Sequence, residues 1–410
     1  MTAEAHRAAT RAVREHYSRV LASLAAQFRD VAAAEDALSE SLVAALATWP
    51  ETGVPDEPAA WLLAVARRRM IDQLRKRSRH DTALSQLARE WDIPPDTEKM
   101  EDKRLQLLFA CAHPALEEKV RAPLMLQVVF GLDAQAIAAL FLMSPAAMSQ
   151  RLVRAKQKIR DAGIPFSIPE PEDYPARLDD VLAAIYALFT TGYNAPPGAV
   201  PHSQDDDPSS ESIWLAQLVV TASQHHPEAL GLLALILYVE SRRDARRDEQ
   251  GRYVPLSEQE TSAWDIEAIA KADSLLTEAA GKVMPGRFQI EAAIQSVHAA
   301  RAQSGRTDWA SILTFYDALA ELTPTPVVLI NRALAVSHVH GADAALAEIA
   351  CLESEKRMAE YQPYWAARAH LLAKAGQQGN AERAYARAIA LESDAAVRAF
   401  LETERQRLAN

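Results

Sequence analysis

Glycine is scarce in this chain of 410 residues, with 13 in all, and aromatic side chains make up only 6 %. Alanine runs through every row. That combination argues against strands, which favour β-branched and aromatic side chains, and for helices, in which alanine loses no side-chain entropy. Cysteine is nearly absent. Cys111 and Cys351 stand far apart, which excludes a disulfide framework and suits a reducing compartment. Long apolar runs are missing too. The longest, residues 229–239, is too short to cross a bilayer and reads as a buried helix. Residues 1–14 alternate alanine with His, Arg and Glu and hold no apolar signal core. The expectation is a cytoplasmic protein with no membrane association. No phosphate loop, nucleophile elbow or zinc-hydrolase motif occurs, so neither enzymatic activity nor a cofactor is expected.

What is present is globular material. Hydrophobic residues are 49 % and charged residues 24 %, and the length suits two or three domains. The net charge of -11 speaks against a nucleic-acid partner. Its distribution reverses that reading. Residues 1–165 hold 23 Lys and Arg against 21 Asp and Glu, whereas the rest holds 21 against 34. The balance is +2 for the first part and −13 for the second. Such asymmetry is a clue about partners.

The pattern divides into segments 1–80, 104–163 and 177–410, joined by linkers 81–103 and 164–176. In the first, Leu38, Leu42 and Leu46 form an apolar stripe at helical spacing. A turn-rich stretch, 49–57, follows, and Pro58 suits the start of the next helix. The second segment stops at Gly163, Ile164 and Pro165. The third is a series of helical patterns. There Ala318 and Ala388, each closing an aromatic-containing tetrad, lie two periods of 35 residues apart. Trp365, Ala369, Ala381, Tyr385 and Ala388 follow the large/small order of a tetratricopeptide (TPR) helix pair. The alternative is an alanine-rich helical domain without true repeats.

Two stretches carry chemistry. In the second segment, Asp133 can cap a helix whose Ile137, Leu140 and Phe141 share a face. Leu142 and Met143 then turn the chain. Ser144 caps the next helix, with Pro145 at its first position. Met148, Leu152, Ala155 and Ile159 fall on one face for packing. Ala146, Gln150 and Val153, flanked by Ser149 and Arg154, face the other way. This is a helix–turn–helix, and small polar residues on that face suit a major groove. Arg151, Lys156, Lys158 and Arg160 can meet phosphates. The other stretch, residues 67–79, holds seven basic residues and one acid. Arg68, Asp72, Arg75 and Arg79 stack on one helical face, where Asp72 can orient Arg68 or Lys76. The run continues a helix begun by Trp61, Leu62 and Leu63, so its basic face is held by a core and reads as a nucleic-acid surface.

These residues resemble a known family. Residues 34–40 (AEDALSE) and 60–75 (AWLLAVARRRMIDQLR) look like region 2 of extracytoplasmic-function (ECF) sigma factors of bacterial RNA polymerase, and the helix–turn–helix resembles their region 4. Residues 109–116, 150–156 and 331–336 are similar to the subgroup with a C-terminal TPR-like extension. The resemblance implies an all-α fold: two small sigma domains followed by a TPR-like helical domain. It implies promoter DNA and bacterial RNA polymerase core as partners, and a possible protein regulator at the extension. Asp36 and Glu40 match the face that docks on the polymerase clamp helices. Trp49, Trp61, Arg67, Arg68, Asp72, Arg75 and Arg79 match the side that reads the −10 element. Stretch 49–57 corresponds to the loop that captures a flipped base. Ser144, Ala146, Ala147, Ser149, Gln150, Arg151 and Arg154 match the −35-reading helix. The acidic extension is expected to screen the basic faces until polymerase binds. The competing reading is a TPR-containing helix–turn–helix regulator or adaptor that acts without core polymerase.

Lesser features are Cys111 with His113, read as a packed thiol and a turn-forming His-Pro rather than a metal site. His202 with Asp205, Asp206 and Asp207 reads as a solvated loop. His225 and His226 read as the end of a helix, favoured by its C-terminal dipole.

Overall fold

The computed structural model describes residues 16–77, 102–141, 143–170, 173–193, 208–282 and 285–408. Among them all regular structure is helical, apart from a single bridge between Arg247 and Tyr253. The all-α expectation is met. The chain forms two compact units, one of residues 1–192 and 202–218, the other of 193–201 and 219–410.

In the first unit, helix α1 covers residues 16–28 and buries Val20, Leu21, Leu24 and Ala25. Asp30 then caps α2 (Val31–Thr52), its carboxylate accepting from the Ala33 N–H at 3.0 Å. Ala34, Ala37, Leu38, Ser41, Ala45 and Trp49 recur every three or four residues and form the buried face of α2. The helix ends at Gly53, whose φ of +89° lies in the region that favours glycine. Pro58 opens α3 (Pro58–Arg77), which packs on α2. After residue 101 come α4 (Arg104–Cys111), α5 (Glu118–Val128), α6 (Ala134–Leu140) and α7 (Pro145–Asp161). Gly163, at φ +60°, closes α7. The Ile164 N–H reaches back to the Ile159 carbonyl at 3.2 Å.

The stretch read as a second linker is anchored at its end. Tyr174 is buried and meets Phe109 edge-on at 5.2 Å. Helix α8 (Pro175–Tyr193) and the first part of α9 (Pro208–Ala222) belong to the first unit by packing. Two arginines join them to the second segment. Arg104 is buried between Asp102 and Glu211, with its guanidinium 4.2 Å from the Trp214 ring. Arg121 donates to Asp180 at 2.8 Å. The break between units therefore lies beyond the 176/177 boundary.

The second unit stacks consecutive helices. Helix α10 (Pro227–Glu240) is buried from Ala229 to Tyr238, as the apolar run implies. It packs on α11 (Ile266–Ala280) and α12 (Arg287–Ala299). Gly231 lets α10 approach α12, because a Cβ there would sit 2.7 Å from the Gln289 backbone nitrogen. The Glu228 carboxylate accepts from the N–H groups of Phe288 and Gln289 at the start of α12, a favourable end for an acid. The short α13 (Arg301–Ser304) leads to α14 (Trp309–Leu322), α15 (Pro326–Val339) and α16 (Ala342–Ile349). Then follow α17 (Gln362–Lys374), α18 (Gln378–Leu391) and α19 (Ala395–Arg407). Ala369, Ala381, Tyr385 and Ala388 are buried together between the last three, with Trp365 half-buried against them. The two echoed tetrads lie on α14 and α18. The histidine pair departs from expectation. Helix α9 stops at Ala222, and His226 caps the next helix by accepting from the Glu228 N–H at 3.3 Å, while His225 pairs with Glu278. The chain between the two helices is too short to extend the first past Pro227, so the imidazole serves a helix start.

Candidate nucleic-acid interface

Helices α6 and α7 make a bent pair at 108°, within the range of a helix–turn–helix. Both caps form. Asp133 accepts from the Ala136 N–H at 2.7 Å and Ser144 from the Ala147 N–H at 3.3 Å. Met148, Leu152, Ala155 and Ile159 are buried. Ala146, Ser149, Gln150, Arg151 and Arg154 are exposed, and Val153 is 61 % exposed. Two residues matched to DNA reading have a local task instead: Ser144 and Ala147 close the cap. Leu140, placed with Ile137 on a packing face, is 41 % exposed, because α6 ends there and Phe141 turns away as its cap. Leu142 lies outside the described residues.

On α3, Arg68, Arg69 and Arg75 are exposed, whereas Arg67 and Asp72 are half-buried. Asp72 sits 3.9 Å from Arg75, not on Arg68, and Arg69 lies 3.5 Å from Glu40. Arg79 lies outside the described residues, as do 78–101, which take in most of the first linker, and the group His202, Asp205, Asp206 and Asp207. Trp49 is not in a loop. Helix α2 runs on to Thr52, and Trp49 is 1 % exposed, edge-on to the half-buried Trp61 at 5.2 Å. Pro50 removes one N–H in the last turn, but the buried Trp49 pair holds that turn helical. The open turn is therefore 53–57.

Asp36 and Glu40 are both exposed on α2. Val43, 69 % exposed, continues their line at i+7. The stripe Asp36, Glu40, Val43 is legible in the spacing, though Val43 had no charge to mark it.

One arrangement has no local signal. The last turns of α7 rest on α2: Lys156 bonds Glu35 at 2.6 Å, both largely buried, and Arg160 approaches Asp30 at 3.5 Å. Asp30 thus serves two groups, one oxygen for its cap and the other for Arg160. The acids that meet the basic helix come from α2, not from the acidic extension. Burial raises the Glu35 carboxyl above its ordinary range, although Lys156 pulls the other way. Desolvation therefore offsets much of the pair's attraction. Cys111, fully buried, has its thiol pushed up by burial and by Glu35. His113 uses Nδ1 to accept from the Ala115 N–H at 3.1 Å, a turn contact. No group of three or more His, Cys, Asp or Glu able to hold a metal occurs among the described residues, and no single helix there is long and apolar enough to cross a membrane.

Comparison with known proteins follows the same division. Family models match at Sigma-70 region 2 over residues 12–80, at Sigma-70, region 4 over 106–159, and at a family of unknown function (DUF6596) over 177–280. An uncharacterized protein of Rhizobium meliloti (strain 1021) is 38 % identical over 397 residues, covering 95 % of this chain and 93 % of its own length. No solved structure matches.

Proposed function

The chain belongs to the sigma-70 family, as an ECF-like sigma factor with a helical C-terminal extension, and from that premise we propose how its parts divide the work. Its partners are RNA polymerase core and promoter DNA. In our reading the stripe Asp36, Glu40 and Val43 docks on the polymerase. Arg68, Asp72 and Arg75 on α3 face the −10 element, with 53–57 as the base-capturing turn. On α7, Ala146, Ser149, Gln150, Arg151 and Arg154 face the −35 element. The extension is a TPR-like domain that supports or regulates activity through a protein partner. The observation that carries this reading is the pairing of a doubly capped helix–turn–helix with a separate basic helix held on a core.

The α2–α7 contact belongs to the free protein. Elements centred at −35 and −10 lie about 25 base pairs, or ~85 Å, apart along the duplex. Helix α7, with 17 residues, is only about 25 Å long. Both helices reach their elements only after Lys156 leaves Glu35. Residues 78–101 number 24, enough chain to span ~80 Å when extended.

Gel filtration of the full-length protein with purified core polymerase tests the reading. Co-elution is the expected result. Promoter binding with no association with core would favour the regulator that acts without polymerase.

A further inference from the structure

The second unit contains a cluster of arginines with no acid to meet them. Residues 241–264 loop out after α10 and fold back before α11. Arg301 of α13 donates to the carbonyls of Ser257 and Gln259 in that loop, both at 2.8 Å. The Trp264 ring lies against two guanidinium groups, Arg301 at 5.0 Å and Arg242 at 6.0 Å. Arg246 donates to the Tyr193 carbonyl and lies 4.0 Å over that ring. None of Arg242, Arg246 and Arg301 has a carboxylate within ion-pair distance among the described residues. Glu240 pairs with Arg243, and Glu260 acts on Arg301 only from further away.

Arg242 is the informative member. It is 5 % exposed, and its one hydrogen bond goes from Nη2 to the Gln295 side-chain oxygen at 2.6 Å. Its Nη1 is buried with no partner, and so is Nε1 of Trp264, itself 4 % exposed. A buried guanidinium that lacks an anion costs several kcal/mol, and an unmet N–H adds to that. This occurs in a segment with 34 acidic residues to draw on. The neighbours make it worse: Arg246, Arg301 and His298 are of the same sign or can become so, and they hold the His298 imidazole well below its usual range.

We propose that this cluster is a binding site for a carboxylate, with Arg242 and Trp264 donating to its two oxygens. Two unmet donors match two oxygens, whereas a phosphate dianion presents more oxygens and a higher desolvation cost. Access runs past Arg301, His298 and Trp309, which are half-buried, while His338, stacked on Trp309 at 3.7 Å, is exposed. The carboxylate belongs to a small acid or to the acidic residues of a peptide. The proposal does not depend on promoter recognition.

Calorimetric titration of the full-length protein with succinate, hexaglutamate, inorganic phosphate and hexalysine tests it. Succinate or hexaglutamate is expected to bind. Arg242→Gln should weaken binding at least tenfold, and Trp264→Phe, which deletes only the indole N–H, about threefold. If Arg242→Gln does not fold, the wild-type indole resonance of Trp264, assigned by its loss in Trp264→Phe, should still move on adding the carboxylate. Hexaglutamate binding more than tenfold tighter than succinate identifies a peptide as the source, and equal affinity a small acid. The proposal is overturned if neither carboxylate binds, if both variants bind as wild type does, or if phosphate alone binds.

Discussion

The two basic helices of the first unit carry similar charge but stand in different surroundings. On α3 the exposed arginines face outward, with Arg69 near Glu40 and Arg75 near Asp72 at ion-pair limits. On α7 the first turns are open, while Lys156 and Arg160 near its end are taken up by Glu35 and Asp30. Basic charge in a sequence is thus not the same as basic charge available to DNA. The −10 side is displayed in the free protein, and the −35 side is partly engaged by it.

The largest effect expected is from removing the extension. A chain ending at Pro165 loses Glu211, Asp180 and Tyr174, so Arg121 is stripped of its partner and Phe109 of its cover. Breaking a buried pair costs about 3–5 kcal/mol. The helix–turn–helix should lose its cooperative melt while α2 and α3 persist, as read by thermal denaturation and limited proteolysis. A truncated chain with an unchanged melt would make the extension a detachable appendage.

Next comes the engaged helix itself. Glu35→Lys places like charges together and should release α7, with a shift of about 2–3 kcal/mol toward separation. Fluorescence energy transfer between dyes on α3 and α7 should report a longer distance. Adding Lys156→Glu should restore the short one. If neither variant changes the distance, the pair does not hold the helices together.

Arg151→Ala addresses the open half of α7. Promoter binding should weaken by about 1 kcal/mol, and the salt slope should fall by about 1 if Arg151 meets a phosphate. An unchanged slope with weaker binding would reassign it to a base edge.

The smallest effect is expected in the second unit and leaves the DNA-facing helices untouched. Burial and the nearby Arg242, Arg301 and His338 hold His298 down at about 3. Its folded value lies below the ordinary 6.5, so the unfolded chain takes up the proton first. Stability from this group is full above that value and is lost progressively as pH falls from there toward 3. His298→Gln should flatten the acid side of the melting profile relative to wild type between pH 6.5 and 4.5. Parallel profiles would show that His298 is solvated.

Much of this was legible in the sequence because it is local. Caps sit three residues from the N–H they serve, so Asp133 and Ser144 could be read directly. The buried face of α7 followed from spacing. Trp49 could not be placed the same way: proline and glycine nearby mark a turn, and only the packing of Trp61 against it extends the helix. Sequence spacing showed Asp36 and Glu40 on one face, yet nothing in it ties Lys156 to Glu35, 121 residues away, or Arg104 to Glu211, 107 residues away. Those pairs depend on how helices meet. The screening expected of the acidic extension rested on totals, whereas the acids that meet α7 belong to the near-neutral head.

The central claim, that this chain docks on polymerase through α2 and brings two helices to a promoter, is tested most directly by run-off transcription. Purified core polymerase would be supplied with the full-length protein and a library of genomic fragments. The account predicts discrete transcripts that require the protein and disappear with Asp36→Arg, while binding of that variant to −35 DNA persists. Transcripts of equal yield from Asp36→Arg, or DNA binding with no transcript from wild type, would contradict it.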